Sequence, residues 1–313
     1  MARRELGPAS LAVAHAVASV LPSAPVVIGC SGGADSLALA LGARWAGTRC
    51  GAEVRVIVID HGLQDGSDEV ARRVVELLTR EGMTAESRRV RIDADAPGGT
   101  EAAAREVRLA ALASDGFPVL LGHTLDDQAE SVLLGLLRGS GTRSLAGMAG
   151  ERGPFIRPLL GVRRAATVQA CAEWDVEPWE DPHNTDDRFR RVRARGHLEE
   201  LSGAMGADVA PALARTASLA RMDADLLDQL AVRACAGHDL TRELPVEAVA
   251  GLPDALRLRV LRDWLLAHGA PNVAMVHVMA LDLLLRDWRG QGAVGVPGGR
   301  VERRGSALHH SRT

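Results

Sequence analysis

Up to about Leu201, short runs rich in β-branched residues alternate with Ala/Leu stretches of helical length, and this alternation limits the fold more than any other feature. Strands are expected at Pro25–Cys30, Val54–Asp60, Glu86–Ile92, Pro118–Gly122 and Phe155–Leu159. Helices are expected from near Ser36, Ser67, Thr100, Leu125 and Val162. Strands that alternate with helices pair in parallel and need cover on both faces, so the pattern predicts an α/β, doubly wound parallel sheet. The strand signals stop at the glycine-bearing stretch Ser202–Ala207. Beyond it, amphipathic helices are expected at Ala255–His268 and Val273–Trp288, and a small terminal hairpin over Arg300–Leu308. A length of 313 residues suits two domains, drawn here as 1–203 and a smaller, mainly helical 208–313.

The first strand runs into Ser31-Gly32-Gly33-Ala34-Asp35-Ser36, and a helix begins at once. Glycines let a backbone approach a ligand closely, and a helix N-terminus offers free N–H groups to an anion. Ser31 and Ser36 add hydroxyl donors. Asp35 is out of place beside phosphates unless it meets a cation, most simply Mg²⁺. Taken on composition alone, the same residues make an ordinary glycine-rich turn with Ser36 as the helix cap. All 37 basic residues are arginine, so a Walker A loop and Schiff-base lysine chemistry are excluded. A second glycine pattern, Gly290–Gly295, matches G-x-G-x-x-G but follows a helical stretch with too little chain after it for a βαβ unit, and reads as a turn.

The S-G-G-x-D-S turn resembles that of the PP-loop ATP pyrophosphatases, whose fold is that of the adenine nucleotide alpha hydrolases. Further motifs follow in order: Ile59-Asp60-His61-Gly62-Leu63, Glu101–Arg108, Gly122-His123-Thr124-Leu125-Asp126-Asp127-Gln128-Ala129-Glu130-Ser131, Arg138-Gly139-Ser140-Gly141, Ile156-Arg157-Pro158-Leu159 and Glu180-Asp181-Pro182-His183-Asn184. From about Val26 to Glu200 this series resembles the tRNA(Ile)-lysidine synthetases. The resemblance implies a ligase that uses ATP to adenylate C2–O of the wobble cytidine in a CAU-anticodon tRNA(Ile). Free L-lysine then displaces AMP. It implies ATP contacts from Ser31, Gly32, Gly33, Ala34, Asp35 and Ser36, with His61 and His123 as strand-end additions, and Mg²⁺ on Asp35. It assigns the lysine to Asp127 and Glu130, and makes Asp35, Asp126, Asp127, Glu130 and Arg105 the catalytic set. Alternatives stay open residue by residue. Thr124 and Asp127 also spell a helix capping box, strand-end histidines are often structural, and Arg105 and Arg108 can line a solvated helix face. The family pattern A-R-x-x-R-Y has Leu109 in place of its tyrosine. Another PP-loop adenylating enzyme, such as a tRNA thiolase, and a nucleotide sensor without turnover are the competing readings.

The near-neutral charge of −3 speaks against a mass binder of nucleic acid, yet it averages unlike segments. Arg188–Arg195 holds five arginines in eight residues, directly after seven acidic residues in Glu173–Asp187. Arg191, Arg193 and Arg195 match the family's R-x-R-x-R and are the expected tRNA contacts. Gly196-His197-Leu198-Glu199 departs from the V-L-P that usually follows. Cys30, Cys50, Cys171 and Cys235 have neither zinc nor disulfide spacing, which suits a reduced cytoplasm. A leader cleaved near Ala24, after Arg3, Arg4 and the apolar run Leu11–Leu21, is the weaker reading, because it would strip support from the first strand. No apolar run spans a bilayer. A homodimer is kept as an expectation.

Overall fold

The computed structural model describes residues 5–62, 66–92, 100–139, 141–180 and 188–312, with the side chains of 100–102 excepted. Leu63, Ser140 and Asp181–Asn184 lie outside them. By contacts the chain divides into two units, Met1–Arg138 with Gly147–Ala217, and Gly139–Ala146 with Ser218–Thr313.

The first unit opens with α1 (Pro8–Ala18), β1 (Val26–Cys30), α2 (Ala34–Cys50), β2 (Val54–Asp60), α3 (Ser67–Arg80), β3 (Thr84–Arg89), α4 (Thr100–Ala113), β4 (Val119–Leu121) and α5 (Leu125–Leu137). After the short α6 (Thr142–Leu145), which belongs to the second unit, come β5 (Glu151–Arg152), β6 (Phe155–Ile156), α7 (Arg164–Glu173) and α8 (Arg190–Met205). The sheet order is β3-β2-β1-β4-β6-β5, parallel throughout except for β5 against β6. The expected doubly wound layer is present. Val26, Val27 and Ile28 are fully buried because helices cover both faces. α1, α2, α3 and α7 close one face around Ile28, Leu39 and Leu41. α4 closes the other around Val27, Ile57 and Leu112. Leu109, where the family pattern has tyrosine, packs into this second cluster. The order reverses between β1 and β4, and in such sheets ligands bind outside the carboxyl ends at that reversal.

Several boundaries differ from the pattern. The third strand is Thr84–Arg89, a polar edge strand whose side chains face solvent, so no apolar alternation marked it. Phe155–Ile156 gives way to a 3-10 turn at Pro158–Gly161, because proline cannot donate to the ladder. Ser36 is not the cap: α2 starts at Ala34 with Gly33 before it, and Ser36 lies inside the first turn. The stretch Ser202–Ala207 is helical at its start and broken only at its end. α8 runs through Met205 and ends on Gly206 in the left-handed region. The contact boundary falls inside the 25-residue helix α9 (Ala210–Ala234), between Ala217 and Ser218.

The second unit adds β7 (Leu244–Pro245), α10 (Val246–Ala250), α11 (Asp254–Ala267), α12 (Met275–Arg286), β8 (Val294–Val296), β9 (Gly299–Arg304) and β10 (Ala307–Arg312). The hairpin is real but is half of a four-stranded antiparallel sheet, β7-β10-β9-β8. β7 and β8 have two and three residues, too short to leave a periodic signal. Trp264, Leu261 and Leu265 of α11 pack with Leu281, Val301 and Leu308. The Arg257 guanidinium, buried among them, is held by Asp282 at 2.6 Å and Asp254 at 2.7 Å. In the same unit Arg143 of α6 pairs with Asp225, at 2.6 Å, and with Asp228.

Candidate active site

Two loops leave the sheet at its reversal point, one after β1 and one after β4. In the first, the Ser36 hydroxyl donates to the Gly33 carbonyl at 3.0 Å and accepts from Ser31 N–H at 3.1 Å. It fastens the turn from inside and leaves the start of α2 facing outward. Gly32 has φ +87°, and a Cβ there would lie 2.5 Å from the Val74 side chain, so this position takes glycine for two reasons. The Trp179 backbone N–H donates to the Gly32 carbonyl at 3.0 Å. In the second loop, a Cβ on Gly122 would stand 2.9 Å from the Asp35 carbonyl oxygen. The end of β4 is therefore pressed against the first turn of α2.

α5 starts from this second loop with the expected capping box. Asp127 Oδ2 accepts from Thr124 N at 2.7 Å and from the Thr124 hydroxyl at 2.8 Å. The other oxygen, Oδ1, is free of the cap and accepts from Arg164 Nη2 at 2.6 Å. Arg164 reaches two more carboxylates: Nε is 3.2 Å from Asp35 Oδ2, and Nη1 is 3.2 Å from Glu130 Oε1. Arg195 Nε meets the same Glu130 oxygen at 3.0 Å. Glu130 is only 2% exposed, and its Oε2 is buried with no hydrogen-bond partner. Thr167 donates its hydroxyl to Asp35 Oδ1. Burial raises the Asp35 carboxyl above the ordinary carboxylate range, and Asp127 adds to this against the opposing bonds from Thr167 and Arg164. Burial opposes the Arg164 charge, but Asp127, Asp35 and Glu130 together outweigh it and hold the guanidinium more firmly protonated.

Asp126 turns elsewhere. Its carboxylate accepts from the Arg164 backbone N–H at 2.7 Å and pairs with Arg163 at 2.9 Å, fixing the start of α7. In this arrangement Asp126, expected in the catalytic set, positions Arg164. His61 follows β2, one strand over, where it lines a depression with Arg89 and Arg91.

Facing the acidic group is a cationic one. Arg105 of α4, Arg157 after β6 and Arg191 of α8 act on His123, and Arg105 and Arg191 also act on Arg108. Burial pushes the His123 imidazole down to about 3, with Arg157, Arg105 and Arg191 adding to the effect and Asp127 opposing it. Burial likewise lowers Arg108, and Arg105 and Arg191 repel it further. Arg108 Nε and His123 Nδ1 are buried without hydrogen-bond partners. The His123 ring should therefore stay neutral at every pH above about 3, which an NMR titration of its Cε1 proton would check. The unfolded chain takes up that proton near 6.5, so acidification from 6.5 toward 3 favours unfolding. His123→Asn is expected to make the acid-side loss of stability shallower.

Arg191, Arg193 and Arg195 do not form one surface. Arg191 and Arg195 are one turn apart and half-buried, turned toward His123 and Glu130, while Arg193 is exposed. Arg163, Arg164 and Thr167 escaped the motif reading. A buried acidic pair needs a cation and would have pointed to one.

As a test for Mg²⁺, no group of three or more His, Cys, Asp or Glu among the described residues could enclose a metal ion. Asp35 is the one carboxylate of the turn, which suits an ion held by one carboxylate, phosphate oxygens and water, but Oδ1 accepts from Thr167 and Oδ2 from Arg164, so Mg²⁺ would have to displace one of them.

The chain matches the family model of a PP-loop domain over residues 10–201 and that of a TilS substrate binding domain over residues 244–309. It is 52% identical over 317 residues to a tRNA(Ile)-lysidine synthase from Cutibacterium acnes, covering 100% of this chain and 99% of that protein. It is 46% identical over 304 residues to one from Rhodococcus erythropolis, covering 95% and 92%. Among solved structures, the U34-tRNA thiolase NcsA from Methanococcus maripaludis superposes with a TM-score of 0.53 at 15% identity, over 67% of this chain and 76% of that one, a likeness of fold. With more than half of the chain matched by the PP-loop model and near-complete coverage by relatives of this identity, the chain belongs to the tRNA(Ile)-lysidine synthase family of PP-loop proteins.

Proposed function

We infer that the chain is an ATP-dependent ligase that forms lysidine in tRNA(Ile), joining free L-lysine to C2 of the wobble cytidine of a CAU anticodon. The observation that carries the site assignment is the juxtaposition within one unit of an anion-binding turn and a cation-binding pocket. Asp35 belongs to both, and Glu130 Oε2 is a buried acceptor with no partner. On this reading the Ser31–Ser36 turn and the start of α2 hold the ATP phosphates. Mg²⁺, held by Asp35 and the phosphates, would offset charge at the bond that breaks. Asp127 and Glu130 take the lysine ammonium. The cationic group around His123 takes an anion, either the lysine carboxylate or a phosphate. Positioning and charge stabilisation account for the catalysis without a covalent enzyme nucleophile.

The thiol chemistry supports this over a tRNA thiolase. Burial raises the Cys30 thiol, and it pushes Cys171 up to about 12, with Asp35 and Cys30 adding to the shift. Neither supplies a thiolate at neutral pH. No helix among the described residues is long and apolar enough to cross a membrane, and we place the enzyme in the cytoplasm with its tRNA.

The test is incubation with ATP, Mg²⁺, labelled lysine and CAU-anticodon tRNA(Ile). Lysine incorporation matched by AMP release is expected. Sulfur dependence would point to thiolation, and ATP binding without AMP would point to a sensor. Arg193→Ala should weaken tRNA binding and reduce the slope of log K against log salt by about 0.9. Arg195→Ala should leave that slope unchanged and raise the KM for lysine.

A further inference from the structure

Arg164 occupies a place that the proposed reaction needs for something else. Each of its three guanidinium nitrogens contacts a different carboxylate, Asp35, Glu130 or Asp127. A lysine ammonium brings the same charge and three donors of its own. It would need Asp127 Oδ1, because Oδ2 is committed to Thr124. On Glu130 it would find Oε2 without a partner, while Oε1 serves both Arg164 and Arg195. Asp127 Oδ1 is held by Arg164 at 2.6 Å, so the guanidinium and the ammonium compete for that oxygen.

Arg164 also has a second set of anions within reach. Asp35 lies in the first turn of α2, so a guanidinium that touches Asp35 stands at the edge of the phosphate turn. Guanidinium groups favour phosphate as strongly as carboxylate. The backbone does not need to move for the exchange. Asp126 pins the Arg164 N–H at 2.7 Å and pairs with Arg163, so α7 stays fixed while the Arg164 side chain changes rotamer. Charge favours the same sequence of events. Asp35, Asp127 and Glu130 against Arg164 and Arg195 leave one net negative charge. Once Arg164 turns to the phosphates and Asp35 meets Mg²⁺, Asp127 and Glu130 against Arg195 again leave one net negative charge, which an incoming ammonium cancels.

We propose that Arg164 is a counter-ion exchanged between the two small substrates. It neutralises the carboxylates until nucleotide phosphates bind at Ser31–Ser36, then turns to the phosphates and clears Asp127 and Glu130 for the amine. Lysine binding is thereby conditional on nucleotide. This rests on the reading of Asp127 and Glu130 as the amine site.

The experiment is calorimetric titration of the full chain with L-lysine, alone and with α,β-methylene-ATP and Mg²⁺. Wild-type protein should bind lysine about tenfold or more tightly with the analogue present, and lysine should tighten the analogue by the same factor. Arg164→Gln should bind lysine with an affinity that changes less than about twofold on adding the analogue, and should bind the analogue more weakly. Equal wild-type lysine affinity in both states overturns the proposal without recourse to any variant. So does an Arg164→Gln protein that keeps the wild-type dependence on the analogue. Asp127→Asn separates the two levels of inference. If it binds lysine like wild type, the amine-site reading itself falls. If it loses lysine while Arg164→Gln still depends on nucleotide, only the exchange falls.

Discussion

Asp127→Ala is expected to abolish lysine incorporation, with kcat/KM for lysine falling by about a hundredfold or more, since removing one member of a desolvated charge pair costs about 2–5 kcal/mol. Binding of tRNA should be spared. The side chain performs two tasks with two oxygens, and the variants can be chosen to part them. Oδ2 closes the capping box with Thr124, and Oδ1 faces Arg164. Alanine loses both, so about 1 kcal/mol of stability should go with the cap. Asparagine keeps an oxygen for the Thr124 N–H but carries no charge, so Asp127→Asn should melt close to wild type and still fail to use lysine. The paired readouts are labelled lysine transfer and a thermal melt. If Asp127→Asn retained normal transfer, the residue would be a helix cap and nothing more.

Gly122→Ala should damage the nucleotide site from outside it. The added Cβ would meet the Asp35 carbonyl oxygen at 2.9 Å, and the Asp35 carbonyl carbon and Ser36 Cα at 3.1 Å. All three are backbone or Cα atoms in the first turn of α2, where no flexible side chain can yield. Overpacking of this kind costs about 1–3 kcal/mol, and relief here means displacing the phosphate turn from β4. We expect a lowered urea midpoint together with ATP binding weakened by about tenfold. Unchanged nucleotide affinity with lowered stability would show that the turn keeps its shape while β4 gives way.

The two cases show what the sequence made legible. A buried parallel strand writes its burial into continuous apolar residues, so Val54–Asp60 could be bounded to the residue. Thr84–Arg89, with solvent along one edge, could not. The S-G-G-x-D-S turn and the Asp127–Glu130 pair were visible because local spacing creates them. Arg164 was not, since its meaning comes from three carboxylates on two other helices, brought together only by the sheet. The partners of Asp126 were hidden for the same reason. Its motif placed it in the catalytic set, and only the fold revealed that it pairs with Arg163 and accepts from the α7 backbone. Arg191, Arg193 and Arg195 read as one basic stripe in a linear motif, but helical geometry turns the middle one away.

α7 carries Arg164 at one end and Glu173 at the other, about 14 Å apart along the helix. Glu173 accepts the Ala9 N–H at 3.2 Å and the Ser10 N–H at 2.7 Å, completing the start of α1. The residues whose sequence invited comparison with a disposable leader are thus one abutment of a strut whose far end stands among the reacting groups. Trimming or fusing a partner near Pro8 would load that strut, and with it the helix that aims Arg164.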